Sequence, residues 1–170
     1  MNAIYYPRAG DVPDVALAEF IKAEATELRL AIFSLTNPTI HDAIIDRKRA
    51  GVALRLIVDR YESTSDPTQT KCLQTLQAAG VPVRANHHSG LMHLKLAVAG
   101  THSVALGSFN WTMAAENTND EVLAVIDDPA WAQRSADVFD AMWSDPKRFY
   151  DWTPPTPADM RLMIFKPPEF

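Results

Sequence analysis

The sequence predicts an α/β fold, a mixed β-sheet flanked by helices, from three observations. Apolar strand-like runs alternate with helix-period segments through the first half of the chain. Two further strand-like runs then meet across Gly100-Thr101-His102, a hairpin turn. At 170 residues the chain has the length of one domain able to bury a core. Alternating strands and helices followed by a meander favour parallel and antiparallel pairing in one sheet.

The elements follow in order. Ala3 to Tyr6 reads as a first strand, and Asp11-Val12-Pro13 as a helix start. Val15, Leu17, Ala18, Phe20 and Ile21 supply that helix's apolar face. Leu28 to Ser34 is a buried strand. Thr36-Asn37-Pro38 opens a second helix, with Ile40, Ala43, Ile44 and Ala50 at helical spacing and Gly51 closing it. Val52 to Val58 is a strand ending in Asp59-Arg60, where Asp59 reads as a cap. Ser63 to Thr70 is a polar loop, Lys71 to Ala79 a third helix closed by Gly80, and Val81 to Ala85 a short strand. Asn86 to Gly90 leads into the run His93 to Ala99, and Ser103 to Leu106 returns from the hairpin. Asp120 to Ile126 is a strand and Pro129 to Trp143 the last helix. From Asp151 onward, Pro154, Pro155, Pro157, Pro167 and Pro168 forbid a continuing helix. Arg161 to Phe165 fits an edge strand or a cover for a partner surface. The chain thus divides into a domain over 1–150 and a Pro-rich C-terminal extension over 151–170, without internal repeats.

Composition narrows the function. The chain is 47% hydrophobic and 22% charged, as in a soluble globular protein, and its mean hydropathy is -0.13. No apolar run reaches bilayer-spanning length, and residues 1–7 lack the basic and apolar regions of a secretory signal, so a cytoplasmic location is expected. The single cysteine, Cys72, rules out an intramolecular disulfide and a thiolate metal cluster. A net charge of -5 gives no overall basic footprint for nucleic acid, so any positive potential must be local.

The chemistry gathers at His93-Leu94-Lys95 and Gly107-Ser108-Phe109-Asn110-Trp111. Strand alternation puts His93 and Lys95 on one face, with Leu94, Leu96 and Val98 on the other. A histidine and a lysine side by side, followed by a tight Gly-Ser turn carrying an asparagine, make an anion site with a nucleophile in it. Phosphodiester hydrolysis needs such a nucleophile, charge neutralisation on the non-bridging oxygens, and an acid for the leaving alkoxide.

This spacing, H-x-K and then G-S-x-N, resembles the phospholipase D superfamily signature H-x-K-x4-D-x6-G-[GS]-x-N. Ala114-Ala115-Glu116 and Asn119-Asp120-Glu121 downstream are similar to the single-motif bacterial endonucleases of the Nuc type. So are Ala31 to Thr36, Arg49 to Val52 and Ile57 to Asp59 upstream. The resemblance runs from about Pro7 to Trp143. It implies a phospholipase D-like α/β/α sandwich and a metal-independent phosphodiesterase, an endonuclease cleaving DNA or RNA through a phosphohistidine. His93 would be the nucleophile, Lys95 and Asn110 would bind the phosphate, and Glu121 would hold the imidazole in the right tautomer. Ser108 and His88 would contact substrate; no cofactor or metal is called for. One motif per chain implies a homodimer with two His93 residues facing one cleft.

One position departs from the pattern: Gly100 stands where the signature has aspartate. A phospholipase D-type hydrolase or transferase acting on phospholipid is the alternative enzyme, although no basic amphipathic helix suited to stable membrane association is evident. A non-catalytic nucleic-acid-binding homologue is the third reading. Phe109 and Trp111 are expected in the core, and His41, His87 and His102 at the surface.

Overall fold

The computed structural model describes residues 2–156. Eight strands among them form one sheet: β1 (Ala3–Tyr5), β2 (Glu27–Ile32), β3 (Ala53–Val58), β4 (Val83–Asn86), β5 (Lys95–Ala99), β6 (Ser103–Gly107), β7 (Leu123–Ile126) and β8 (Phe149–Asp151). Their spatial order is β1-β7-β6-β5-β2-β3-β4-β8. The β2–β3 and β3–β4 pairs are parallel and the others antiparallel, so the sheet is mixed as expected. The helices are α1 (Pro13–Ala23), α2 (Pro38–Arg49), α3 (Glu62–Ser65), α4 (Pro67–Ala78), α5 (Met113–Asn117) and α6 (Pro129–Trp143).

Alternation along the strands sends side chains to two cores. On one face Leu17 and Ile21 of α1, Ile40 and Ile44 of α2, and Leu73 and Leu76 of α4 pack on Leu28, Leu30, Leu54, Leu56 and Ala97. On the other, Ala132, Ala136 and Phe139 of α6 cover Ala31, Ile57, Leu96, Val98 and Val104. The result is three layers, helix on sheet on helix. Asp140 of α6 is fastened to the sheet by Arg29 at 3.0 Å and Arg55 at 2.7 Å, with Glu27 bridging the two arginines. No helix among the described residues is long and apolar enough to cross a membrane.

Differences from the sequence reading have local causes. The third long helix begins at Pro67, because Asp66 accepts from the amides of Thr68 and Gln69 as Asn37 does for α2. Residues 63–65, expected in a loop, complete the short α3, whose first amides bond Asp59. Short α5 went unforeseen; Thr112 caps it by accepting from Ala115. Strand β8 pairs with β4 across the 150/151 boundary, with Ala85 opposite Tyr150.

Trp152 follows β8 and is 1% exposed in the main core. Its amide donates to Val83, and its carbonyl accepts from Gln77. The folded unit therefore takes in at least Trp152, whereas Arg161 to Phe165 lies outside the described residues. Trp152→Ala should cost about 3–5 kcal/mol in urea unfolding, visible as a lower midpoint. A loss below about 1 kcal/mol would make the segment an appendage.

Candidate active site

Four backbone ends converge where the parallel strands finish. β2 runs into Phe33 and Ser34, and β3 into Asp59; β5 begins at Lys95 and β6 ends at Gly107. The carboxyl ends of parallel strands are where such sheets form clefts. The β2–β5 register pairs Ile32 with Lys95, and the Phe33 amide donates to the Leu94 carbonyl at 3.0 Å. His93 thus lies just before the ladder, exposed at the cleft mouth rather than inside a strand.

Lys95 is 6% exposed. Its Nζ donates to the His93 carbonyl at 2.9 Å and lies 5.0 Å from the centre of the Phe33 ring. The same ring meets the His93 imidazole edge-on, 4.7 Å between centres. Burial pushes the Lys95 ammonium down to about 8, and the charges of Glu121 and Glu62 oppose the fall. The His93 imidazole is shifted below its usual 6.5, first by burial and then by the Lys95 cation; Asp59 and Glu121 pull the other way. The shift favours the uncharged imidazole, the form a nucleophile requires.

Asp59 has the capping role that the sequence implies and one more. It is 1% exposed; Oδ1 accepts from Tyr61 and Glu62, and Oδ2 accepts from the Met92 amide at 2.8 Å. That last bond pins the residue before His93 to the end of β3.

The Gly107-Ser108 turn is set by close approach. A Cβ at Gly107 would lie 2.0 Å from the Val122 carbonyl oxygen, so only glycine lets β6 run this near. That oxygen accepts from the Ser108 and Phe109 amides at 3.0 and 3.3 Å. Trp111 is fixed behind the turn: its amide donates to the Ser34 carbonyl and its carbonyl accepts from Thr36 and Asn37. Phe109 and Trp111 are core residues, as expected. Asn110, between them, is half-buried, and its Oδ1 is buried without a partner.

Glu121 engages the turn in place of the imidazole. Its Oε2 accepts from Ser108 Oγ at 2.5 Å and its Oε1 from Asn119 at 3.2 Å. Among the described residues no hydrogen bond joins it to His93, which it reaches through charge alone. His88 bonds the adjacent Ser89 carbonyl and packs edge-on against Phe149; it lines neither of the clefts described below. Gly100 caps the opposite end of β5, roughly 16 Å from Lys95, with φ +53. A Cβ there would meet the His102 ring at 2.9 Å, and the Gly100 carbonyl accepts from Arg29. The position that departs from the signature is thus outside the cleft.

Phe33, Ser34 and Glu62 were not singled out as site residues in the sequence reading. Burial raises the Glu62 carboxyl above its ordinary range, aided by Asp66 and Asp59 and opposed by Ser34 and Lys95. Phe33 was findable as the residue following a parallel strand; Glu62, on a four-residue helix, was not. Two clefts flank the turn. One, of about 330 Å³, holds His93 and Lys95, and the other, of about 300 Å³, holds Ser108 and Glu121. No group of three His, Cys, Asp or Glu side chains among the described residues is placed to hold a metal.

The family model described as "Cardiolipin synthase, PLD-like domain" matches residues 17–143. The mitochondrial cardiolipin hydrolase of Xenopus tropicalis is 33% identical over 129 residues, 75% of this chain and 60% of that protein. Its namesake in Chlamydomonas reinhardtii is 29% identical over 125 residues, covering 74% and 55%. The chain thus spans somewhat over half the length of these relatives. The solved phospholipase D family member Nuc from Salmonella typhimurium superposes with a TM-score of 0.81 at 25% identity, covering 89% of this chain and 97% of Nuc.

Nuclear magnetic resonance titration tests the electrostatics. His93 should titrate below 6.5 and Lys95 near 8. Lys95→Met removes the cation that disfavours imidazolium, so the His93 value should rise toward 6.5. An unchanged value would mean that the two groups do not interact.

Proposed function

The chain belongs to the phospholipase D superfamily, as the match over residues 17–143 shows, and on that premise we propose a phosphodiesterase acting as an endonuclease on DNA or RNA. The observation that carries this reading is the pairing of an imidazole shifted toward its uncharged form, His93, with a buried ammonium, Lys95, at one cleft mouth. A neutral nitrogen can attack phosphorus while the cation and the Asn110 amide take up charge on the non-bridging oxygens.

In the first step a His93 ring nitrogen forms a bond to phosphorus and the phosphorus–oxygen bond to the leaving group breaks. The leaving oxygen needs a proton, and neither the ring contact nor the hydrogen bond recorded at His93 involves a second imidazole. In a two-fold dimer the paired imidazoles would share one extra proton, and His93 of the partner subunit, holding it as imidazolium, would donate it. That same group, now neutral, takes a proton from water as the water oxygen attacks phosphorus. The phosphorus–nitrogen bond breaks, releasing the phosphate monoester and restoring both histidines. Ser108, held by Glu121, stands beside this centre to orient substrate. The cycle asks for no metal ion.

The curated relatives named cardiolipin hydrolases support a second reading, phospholipid hydrolysis at the same centre. Release of headgroup products from cardiolipin vesicles, with no cleavage of nucleic acid, would select it.

Cleavage of single- or double-stranded nucleic acid should persist in EDTA, and His93→Ala should lower the rate at least about 1,000-fold. Because two imidazoles serve one site, mixing wild-type protein with excess His93→Ala under subunit exchange should depress activity below simple dilution. Activity proportional to the wild-type fraction would overturn the shared site. Loss of cleavage in EDTA would overturn the metal-independent cycle.

A further inference from the structure

Of the two clefts, the one that opens beside His93 has a character the hydrolytic steps do not use. Its floor and walls are aliphatic: Leu94 and Leu96 of the β5 run, Leu106 of β6 and Val138 of α6. Set into the helix wall are one cation, Arg134, and one hydroxyl, Ser135. Trp131, Arg134, Ser135 and Val138 recur at helical spacing, so they form one face of α6. Trp131 is 54% exposed, and Arg134 has no ion-pair partner among the described residues. In a chain of net charge -5, a free guanidinium over an apolar cleft beside the nucleophile is a local positive site.

We propose that this cleft between β5, β6 and α6 is a nucleoside subsite. It would take the base next to the scissile phosphate on the Leu94–Leu106 floor, while Arg134 meets the following phosphate. This rests on the nuclease reading above and deepens it. The fit is chemical. A nucleobase is apolar on its faces and polar at its rim, matching aliphatic walls interrupted by a guanidinium and a hydroxyl. An acyl chain would gain nothing from either polar group. A volume of about 330 Å³ is at the small end of ligand clefts, the scale of one nucleoside. Arg134 supplies the charge complementarity that a polyanion needs and the overall composition lacks. Trp131, one turn before it, offers a stacking surface for the next base along the strand.

Two readouts separate this proposal from the reading it rests on. The first is the ratio of kcat/KM for a thymidine dinucleotide to that for bis-p-nitrophenyl phosphate, a diester without a nucleoside. Arg134→Ala should lower that ratio about tenfold, and Ser135→Trp, which fills the cleft from the helix side, should lower it further. The second needs no turnover: a fluorescein-labelled single-stranded oligonucleotide is titrated onto His93→Ala with and without Arg134→Ala. The added change should weaken binding about tenfold and flatten the salt dependence. If neither diester is cleaved but the binding loss appears, the nuclease reading fails and the subsite stands. An unchanged ratio with unchanged binding overturns the subsite. So does a loss of binding to cardiolipin vesicles with oligonucleotide binding intact, which would assign the cleft to lipid.

Discussion

Keeping the Lys95 ammonium charged inside the fold is the constraint on which the site depends. Lys95 is 6% exposed as a residue, and burial lowers its ammonium from 10.5 to about 8, which corresponds to about 3 kcal/mol against the charged form. What offsets the remaining cost surrounds it in a ring of different elements: the His93 carbonyl, the face of Phe33, and the charges of Glu121 and Glu62. Each comes from a different part of the chain, so the cation acts as a reporter of correct assembly. The His93 imidazole is shifted toward its uncharged form first by its own burial and then by the Lys95 cation, which disfavours a second positive charge nearby.

Backbone geometry supplies the rest. Asp59 ties the end of β3 to Met92, so His93 is held by the residue before it as well as by the strand after it. Gly107 brings β6 so close to Val122 that no side chain fits between them, which sets where Ser108 and Asn110 emerge. The orphaned Asn110 Oδ1 is an acceptor left without a donor beside the turn, a cost tolerated at sites built for ligands.

Much of this was legible in the sequence. The H-x-K and G-S-x-N runs located His93, Lys95, Ser108 and Asn110 at one sheet end, and helices opened by a polar residue and proline were found at Pro13, Pro38 and Pro129. What escaped depends on contacts between distant segments. Phe33 carries no polar atom to attract notice, yet it touches both active side chains. Glu62 acquires its character only when α3 folds over Asp59. Strand β8 is three residues long and pairs with β4, a strand distant from it in sequence, and Trp152 behind it looked like the start of a proline-rich tail. The Glu121 contact also differs: motif spacing brings the carboxylate near the histidine, but local geometry hands it to Ser108.

A covalent bond between His93 and phosphorus is the claim on which the proposed proton shuttle rests. Acid-free rapid quenching of the protein with bis-p-nitrophenyl phosphate, followed by peptide mapping and mass spectrometry, reads it directly. The account predicts a phosphoryl adduct on the peptide carrying His93, stable to base and lost in acid, and absent from His93→Ala. Turnover with no adduct at any quench time, or an adduct on Ser108 in its place, would contradict it.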